Sequence, residues 1–251
     1  MPQPSIAIIG VADLPEIKSG DDLGALITQA VRGAKTEVLN RDIFVVAQKI
    51  VSKSEGRAVR LDSIEPSPRA REWAEAHDKD PRLVEIVLRE SKRIVRMERG
   101  VLISETHHGF VCANAGVDAS NVEEGTALLL PEDPDASARE IRETLEASFG
   151  VSVAVIVSDT FGRPWREGLV NVAIGVAGLA PLIDYRGETD SQGRPLRVTV
   201  IAVADEIASA AELVMKKKDG VPVAIVRGFD YDAREASGRE LIRAPELDLF
   251  R

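Results

Sequence analysis

Apolar and polar positions fall in blocks along this chain, and the period of each block predicts an element. Short, nearly unbroken apolar runs at residues 6–11, 43–47, 151–157 and 221–226 predict buried strands. Residues 101–106 and 198–203 also read as strands, and residues 110–113 are expected to pair back across a turn at His107-His108-Gly109. Helical spacing marks residues 23–32 behind Asp21 and Asp22, residues 135–149 closed by Gly150, and residues 208–217. Residues 66–95 carry alternating charges at helical spacing, with Leu83, Ile86, Val87 and Ile94 on one side, and read as a mostly helical, solvated pair. At residues 48–57 polar groups interrupt the apolar pattern that precedes them, and the apolar run 127–130 stops at Pro131.

Strands and helices are mixed in similar amounts and do not alternate cleanly. The predicted class is α+β, with mixed sheets and flanking helices. No linker, repeat or low-complexity run divides the chain, so residues 1–251 read as a single unit. Any two lobes would be interleaved rather than sequential.

Composition narrows the function classes. With 251 residues, 44% of them hydrophobic, the chain can bury a large core. A net charge of −9 argues against a general nucleic-acid partner. It leaves nucleotides open, provided a local basic cluster and a divalent cation offset the phosphates. The single cysteine, Cys112, rules out an intrachain disulfide and suggests a reducing cytoplasm. The N-terminus has no basic n-region, and no apolar stretch approaches the ~20 residues that span a bilayer, so no membrane role is expected. The longest such stretch, residues 170–183, is broken by Asn171, Gly175, Gly178 and Pro181.

The segment Ser158-Asp159-Thr160-Phe161-Gly162-Arg163-Pro164-Trp165-Arg166 is the strongest candidate for chemistry. An acid, a hydroxyl, a glycine and two arginines arrive together at the end of a predicted strand. Asp159 offers hard oxygen to Mg²⁺ or Mn²⁺, and the guanidinium groups offer planar forks to phosphate or carboxylate. A second candidate is Asn114-Ala115-Gly116-Val117-Asp118-Ala119-Ser120-Asn121, where small residues let backbone approach a ligand, although an ordinary turn also accounts for it. Asp118 and Asp159 are expected to converge on one divalent ion. Lys53 and Arg57, after the second strand, are available to phosphates. Asp205 and Glu206 are either helix-capping acids or further metal ligands. His107 and His108 point different ways on a strand and complete no zinc spacing with Cys112 or His77. Cys112 itself reads as an inert buried thiol. Neither a Walker P-loop, a dinucleotide fingerprint nor a Gly-x-Ser-x-Gly elbow is present.

Several of these segments together resemble the coenzyme F420 gamma-glutamyl ligases: Leu14-Pro15-Glu16-Ile17 with Gly20-Asp21-Asp22, residues 49–57, residues 105–118, residues 158–166 and residues 204–215. The match covers essentially the whole chain in order and is to the stand-alone form, without the nitroreductase-like extension of fused relatives. The resemblance implies an unusual α+β fold forming an intertwined homodimer. It implies a cytoplasmic enzyme that joins L-glutamate to a deazaflavin coenzyme F420 precursor at the expense of GTP, with Mg²⁺ or Mn²⁺ required and K⁺ assisting. It places metal at Asp118, Asp159 and Thr160; Glu206 stays a further candidate ligand on its own position at the helix start. It places nucleotide contacts at Leu14, Pro15, Glu16, Ile17, Gln48, Lys53 and Asn121, and in a stretch near residues 215–220. Lys53, Asp159, Arg163 and Arg166 are the expected catalytic groups. Two alternatives stay open: a ligase with a different acceptor, and a GTP-binding regulator without catalysis.

Overall fold

The computed structural model describes residues 3–120 and 123–249. The chain begins with strand β1 (Ala7–Val11), helix α1 (Leu23–Gly33), strand β2 (Ile43–Ala47) and helix α2 (Gln48–Ser54). Strand β3 (Ala58–Arg60), helices α3 (Pro68–His77) and α4 (Pro81–Arg89), and strands β4 (Ser91–Glu98), β5 (Val101–Thr106), β6 (Val111–Ala113) and β7 (Thr126–Leu128) follow. Helix α5 (Pro134–Phe149), the long strands β8 (Ala154–Arg163) and β9 (Arg166–Ala177), the short strands β10 (Ile183–Asp184) and β11 (Val200–Ile201), helix α6 (Val203–Met215) and strand β12 (Val223–Arg227) complete the order. The fold is a mixed α+β arrangement of several sheets, as the patterning predicts.

The main sheet has the order β1-β12-β2-β8-β9, and only β2 and β8 run parallel. Both faces are covered, which is why its central strands carry unbroken apolar runs rather than alternation. Phe44, Val46, Val155 and Val157 face a core shared with Ile27, Val31, Ile141 and Leu145 of α1 and α5. Ile43, Val45, Ala154 and Ile156 face Ile207, Ala208, Ala211 and Met215 of α6. Asp22 caps α1 by accepting from the Ala25 N–H at 2.9 Å, and Gly150 ends α5 in the left-handed conformation at φ 70°. Two smaller sheets, β3-β7 and β4-β5-β6, pack with α3 and α4 around their own apolar clusters.

The contact between α5 and β9 is close enough to exclude a side chain. A Cβ on Gly175 falls inside contact distance of the Pro134 carbonyl, which belongs to the first residue of α5. Gly175→Ala is therefore expected to cost about 2 kcal/mol or more by overpacking. Denaturant unfolding checks this; an unchanged midpoint would show that α5 shifts freely.

Four predicted elements differ. The helical stretch expected over 66–95 ends at Arg89, and Ser91–Glu98 is a strand. Its alternating charges are cross-strand partners: Lys92 and Arg93 both reach the buried Glu105 of β5, each at 2.9 Å. The interrupted segment after β2 is helix α2. The strand expected over 198–203 shrinks to Val200–Ile201, because Val203 and Ala204 turn into the core as the start of α6. Helix α6 then stops at Met215, so Lys216, at φ 51°, and Lys217 lie beyond its end rather than within its last turn.

Candidate functional site

The carboxyl ends of the parallel pair open into a cleft of about 760 Å³. In open sheets this end is where side chains from several loops meet over a ligand. Strand β2 passes directly into α2, so Gln48, Lys49 and Lys53 reach the cleft from one short helix. Strand β8 continues through Asp159 and Thr160 to Arg163, so these residues lie within the strand rather than beyond its end. Its ladder with β9 slips between Val157 and Ser158, immediately before the chemical residues. Such a bulge re-aims the side chains that follow it. Pro164 and Trp165 close the hairpin, with Trp165 at φ 59°.

Leu14, Pro15, Glu16, Ile17, Gln48, Lys53, Asp118, Asp159 and Thr160 all line this one cleft. They come from four separate stretches of the chain. Residues 215–217 and 220 line it as well, which places the later stretch. Asn121 lies outside the described residues. Gln48 is buried and its amide nitrogen is already used, on Ser52 Oγ at 2.8 Å and the Leu129 carbonyl at 3.2 Å. Lys53 Nζ pairs with the exposed Glu16 at 3.1 Å.

Three predicted site residues sit elsewhere. Arg163 donates to the carbonyls of Glu167 and Gly168 within the hairpin tip, and Arg166 is exposed there; neither lines the cleft. Glu206 is exposed in the first turn of α6, and the carboxylate that α6 brings to the cleft is Glu212, under two turns further on. Asp205 instead accepts from the Ala173 N–H at 2.8 Å, tying α6 to β9. His107 and His108 contact the backbone carbonyls of Arg89, Pro131 and Glu132. Cys112 is buried and its thiol is pushed up to about 12, by burial first and by the Asp159 charge second.

The two acids differ in electrostatic state. Burial alone would raise the Asp118 acid. Hydrogen bonds from Lys49, at 2.7 Å, and from the Ser120 N–H, at 2.6 Å, outweigh it and hold the group below its ordinary value. Asp159 is pushed up to about 6. Burial is the main cause, the neighbouring Asp118 charge adds to it, and the Thr160 N–H and Lys217 only partly offset it. Beside Asp159 the buried Ser158 hydroxyl has no hydrogen-bond partner. The lysines only partly offset the burial of Asp159, and a desolvated carboxylate next to a second carboxylate and an unpartnered hydroxyl offers hard oxygen donors of the kind Mg²⁺ and Mn²⁺ take. No group of three or more His, Cys, Asp or Glu able to hold a metal occurs among the described residues. Two carboxylates suffice for an ion whose remaining ligands are substrate phosphate oxygens and water.

Lys49, Asn171 and Glu212 also line the cleft and were not singled out by sequence reasoning, whereas Lys217 belongs to the expected stretch near residues 215–220. The available signal was Asn171, a lone amide breaking an apolar run. A smaller cavity of about 310 Å³ is lined by Asp21, Asp22, Glu55 and Glu140 with no Lys or Arg, so it lacks the positive groups a triphosphate requires. Among the described residues no helix is long and apolar enough to cross a membrane.

Hard oxygens on β8 and on the segment after β6 thus face ammonium groups from α2 and from the end of α6, a combination suited to an enzyme acting on polyanionic substrates. The chain belongs to the F420-0:Gamma-glutamyl ligase family, whose model matches residues 12–228. It is 50% identical over 249 residues to the coenzyme F420:L-glutamate ligase of Methanothermobacter thermautotrophicus, covering 98% of this chain and 99% of that one. The ligases of the same name from Methanopyrus kandleri and Archaeoglobus fulgidus are 46% and 43% identical. They cover 99% and 98% of this chain, and 98% and 96% of their own lengths.

Proposed function

We propose that this protein joins L-glutamate to a deazaflavin coenzyme F420 precursor and uses GTP to do so. The observation that carries the reading is the convergence of Leu14, Pro15, Glu16, Ile17, Lys53, Asp118, Asp159 and Thr160 on one cleft, in a chain whose family relatives bear that name. A carboxylate does not condense with an amine at neutral pH. In the proposed reaction a carboxylate oxygen attacks the γ-phosphorus of GTP, the bond to the β-phosphate oxygen breaks, and GDP leaves. The glutamate amine then attacks the acyl phosphate carbonyl, inorganic phosphate departs, and an amide remains.

Asp118, Asp159 and Thr160 would hold Mg²⁺ or Mn²⁺, which supplies neutralisation of phosphate charge when bound. Lys53, Lys49 and Lys217 surround the same space with ammonium groups that stabilise charge on the transferring phosphoryl group. The walls from Leu14 to Ile17 and from Val221 to Pro222 limit water beside the acyl phosphate. K⁺ as an assisting ion, a cytoplasmic setting and an intertwined homodimer belong to the same reading. In that dimer the hairpin tip, where Trp165 is 81% exposed, is the element that carries Arg163 and Arg166 toward a partner's cleft.

Incubation with GTP, L-glutamate and the deazaflavin acceptor, followed by the mass of the product, tests the reading. A GTP-binding regulator would release no phosphate with both co-substrates present. A ligase for another acceptor would release it only when that acceptor is supplied. Lys53→Ala is expected to raise the KM for GTP about tenfold, as loss of a charge-assisted hydrogen bond to phosphate does. An unchanged KM and kcat would remove Lys53 from the site.

A further inference from the structure

Thr160 does not stand alone in the cleft. Its hydroxyl donates to Asn171 Oδ1 at 2.7 Å, across the β8–β9 ladder where the two residues are register partners. The Asn171 amide nitrogen donates to Glu212 Oε2 on α6 at 3.0 Å. Lys217 Nζ donates to Thr160 Oγ1 and lies 3.6 Å from Glu212 Oε1. Asn171 is itself buried, and its backbone carbonyl accepts from Ser209 Oγ at 2.7 Å.

The polarity of this chain of bonds has one solution. An ionised Glu212 can only accept, so the amide nitrogen of Asn171 must face it. The Asn171 carbonyl oxygen must then face Thr160. Thr160 therefore spends its only proton on Asn171 and keeps its oxygen lone pairs for Lys217 and the cleft.

We propose that Asn171 and Glu212 are positioning residues that orient Thr160 as an oxygen donor and hold Lys217 beside it. The proposal rests on the metal role read for Thr160 above. Without Glu212 the Asn171 amide is free to turn its nitrogen toward Thr160, whose hydroxyl must then accept from it. The oxygen that faced the cleft is lost as a donor. Outer partners of this kind typically change metal affinity by about 10–100-fold.

Mn²⁺ binding to the full chain, read by electron paramagnetic resonance without nucleotide or glutamate, tests the proposal. Glu212→Gln and Asn171→Asp are each expected to weaken Mn²⁺ binding about tenfold or more. The first removes the group that fixes the amide; the second sets two carboxylates against each other. In the Asn171→Asp/Glu212→Gln double variant the amide and the carboxylate trade places, and the net charge is that of the parent. Asp at 171 still accepts from Thr160, and Gln at 212 now donates to it. Recovery of Mn²⁺ affinity to within about threefold of the parent is expected, since the bond polarity at Thr160 is restored. A packing role for the pair predicts no such recovery. Single variants that bind Mn²⁺ like the parent, or a double variant no better than the weaker single one, would overturn the proposal. A parent that binds no Mn²⁺ overturns it too. Product mass reads the ligase function separately: a parent that binds Mn²⁺ through this relay but forms no glutamate adduct leaves the relay standing and removes the proposed reaction.

Discussion

Asp159→Asn is expected to lower ligation by roughly 10³-fold or more while making the metal-free protein more stable. The activity loss follows from removing one of two carboxylates proposed to hold the divalent ion, whose charge stabilisation is worth several kcal/mol at about 1.36 kcal/mol per tenfold in rate. The stability gain follows from the same burial. The ordinary acid value of Asp159 is 3.8, and the fold pushes it to about 6. The folded state thus holds the proton more tightly than the unfolded chain. Its relative stability is fully present below about 3.8 and is lost as pH rises through about 6. At pH 7 the whole penalty applies, an upper bound of roughly 3 kcal/mol. Asparagine carries no such charge, but its amide needs partners of its own, so a gain of about 1–3 kcal/mol is expected at pH 7. Urea unfolding at pH 5 and at pH 7.5 reads the sign: the advantage of the variant should grow with pH. Added Mn²⁺ should raise the midpoint of the parent and leave the variant unmoved. Ligation by the variant near the parental rate at saturating Mn²⁺ would end the metal assignment.

That trade-off clarifies which parts of the molecule were legible in the chain. Strands such as Ile43–Ala47 and Val101–Thr106 were visible because burial on both faces, or a firm turn beside them, writes a local signature. Helix α2 was not, because seven residues span barely two turns and its inward face includes Gln48 and Ser52. Strand β9 was hidden by Asn171 and Gly175, whose reasons are an amide relay and a close approach to Pro134. Strand β4 looked helical because cross-strand ion pairs and helical ion pairs leave similar charge patterns.

The same division runs through the cleft. Asp118 and Asp159 stood out as acids among small residues. Glu206 and Glu212 occupy one helix, and the chain alone could not say which of them turns toward β9. The arginines around Gly162 read as phosphate or carboxylate binders at the end of a strand; the hairpin ladder instead carries Arg163 and Arg166 away from the cleft of their own chain. Sequence reasoning recovers residues whose local surroundings are unusual. Asn171, Glu212 and Lys217 have ordinary surroundings in sequence, and become a unit only when β8, β9 and the end of α6 are brought together.

At the opposite end of β2 the expected outcome reverses: Arg227→Met should cost about 3–5 kcal/mol of stability and leave the cleft chemistry intact. Asp42, just before β2, has a side chain only 1% exposed. Arg227, at the end of β12, meets it with two bonds of 2.8 and 2.7 Å and donates a third to the Glu37 carbonyl at 2.7 Å. The Leu39 N–H adds a fourth contact, to Asp42 at 2.8 Å. Removing the guanidinium leaves a buried carboxylate with one backbone donor, and the methionine stem replaces volume but not charge. For a chain of this size each kcal/mol moves Tm by about 2–4 °C, so a fall of roughly 10 °C is expected by calorimetry. The pair lies at the end of the sheet away from Ala47 and Ser158, where β2 and β8 open into the cleft. Below the new Tm the KM for GTP and kcat should therefore stay within about twofold of the parent, as independent sites do. The Asp42→Asn/Arg227→Met double variant should recover part of the loss, since the stranded charge is gone. If the single variant unfolds like the parent, Asp42 is reaching water and the pair is not holding β12 to β2. If it folds well but loses GTP affinity, the two ends of the sheet are coupled, and the separation between the stabilising pair and the reactive acids does not hold.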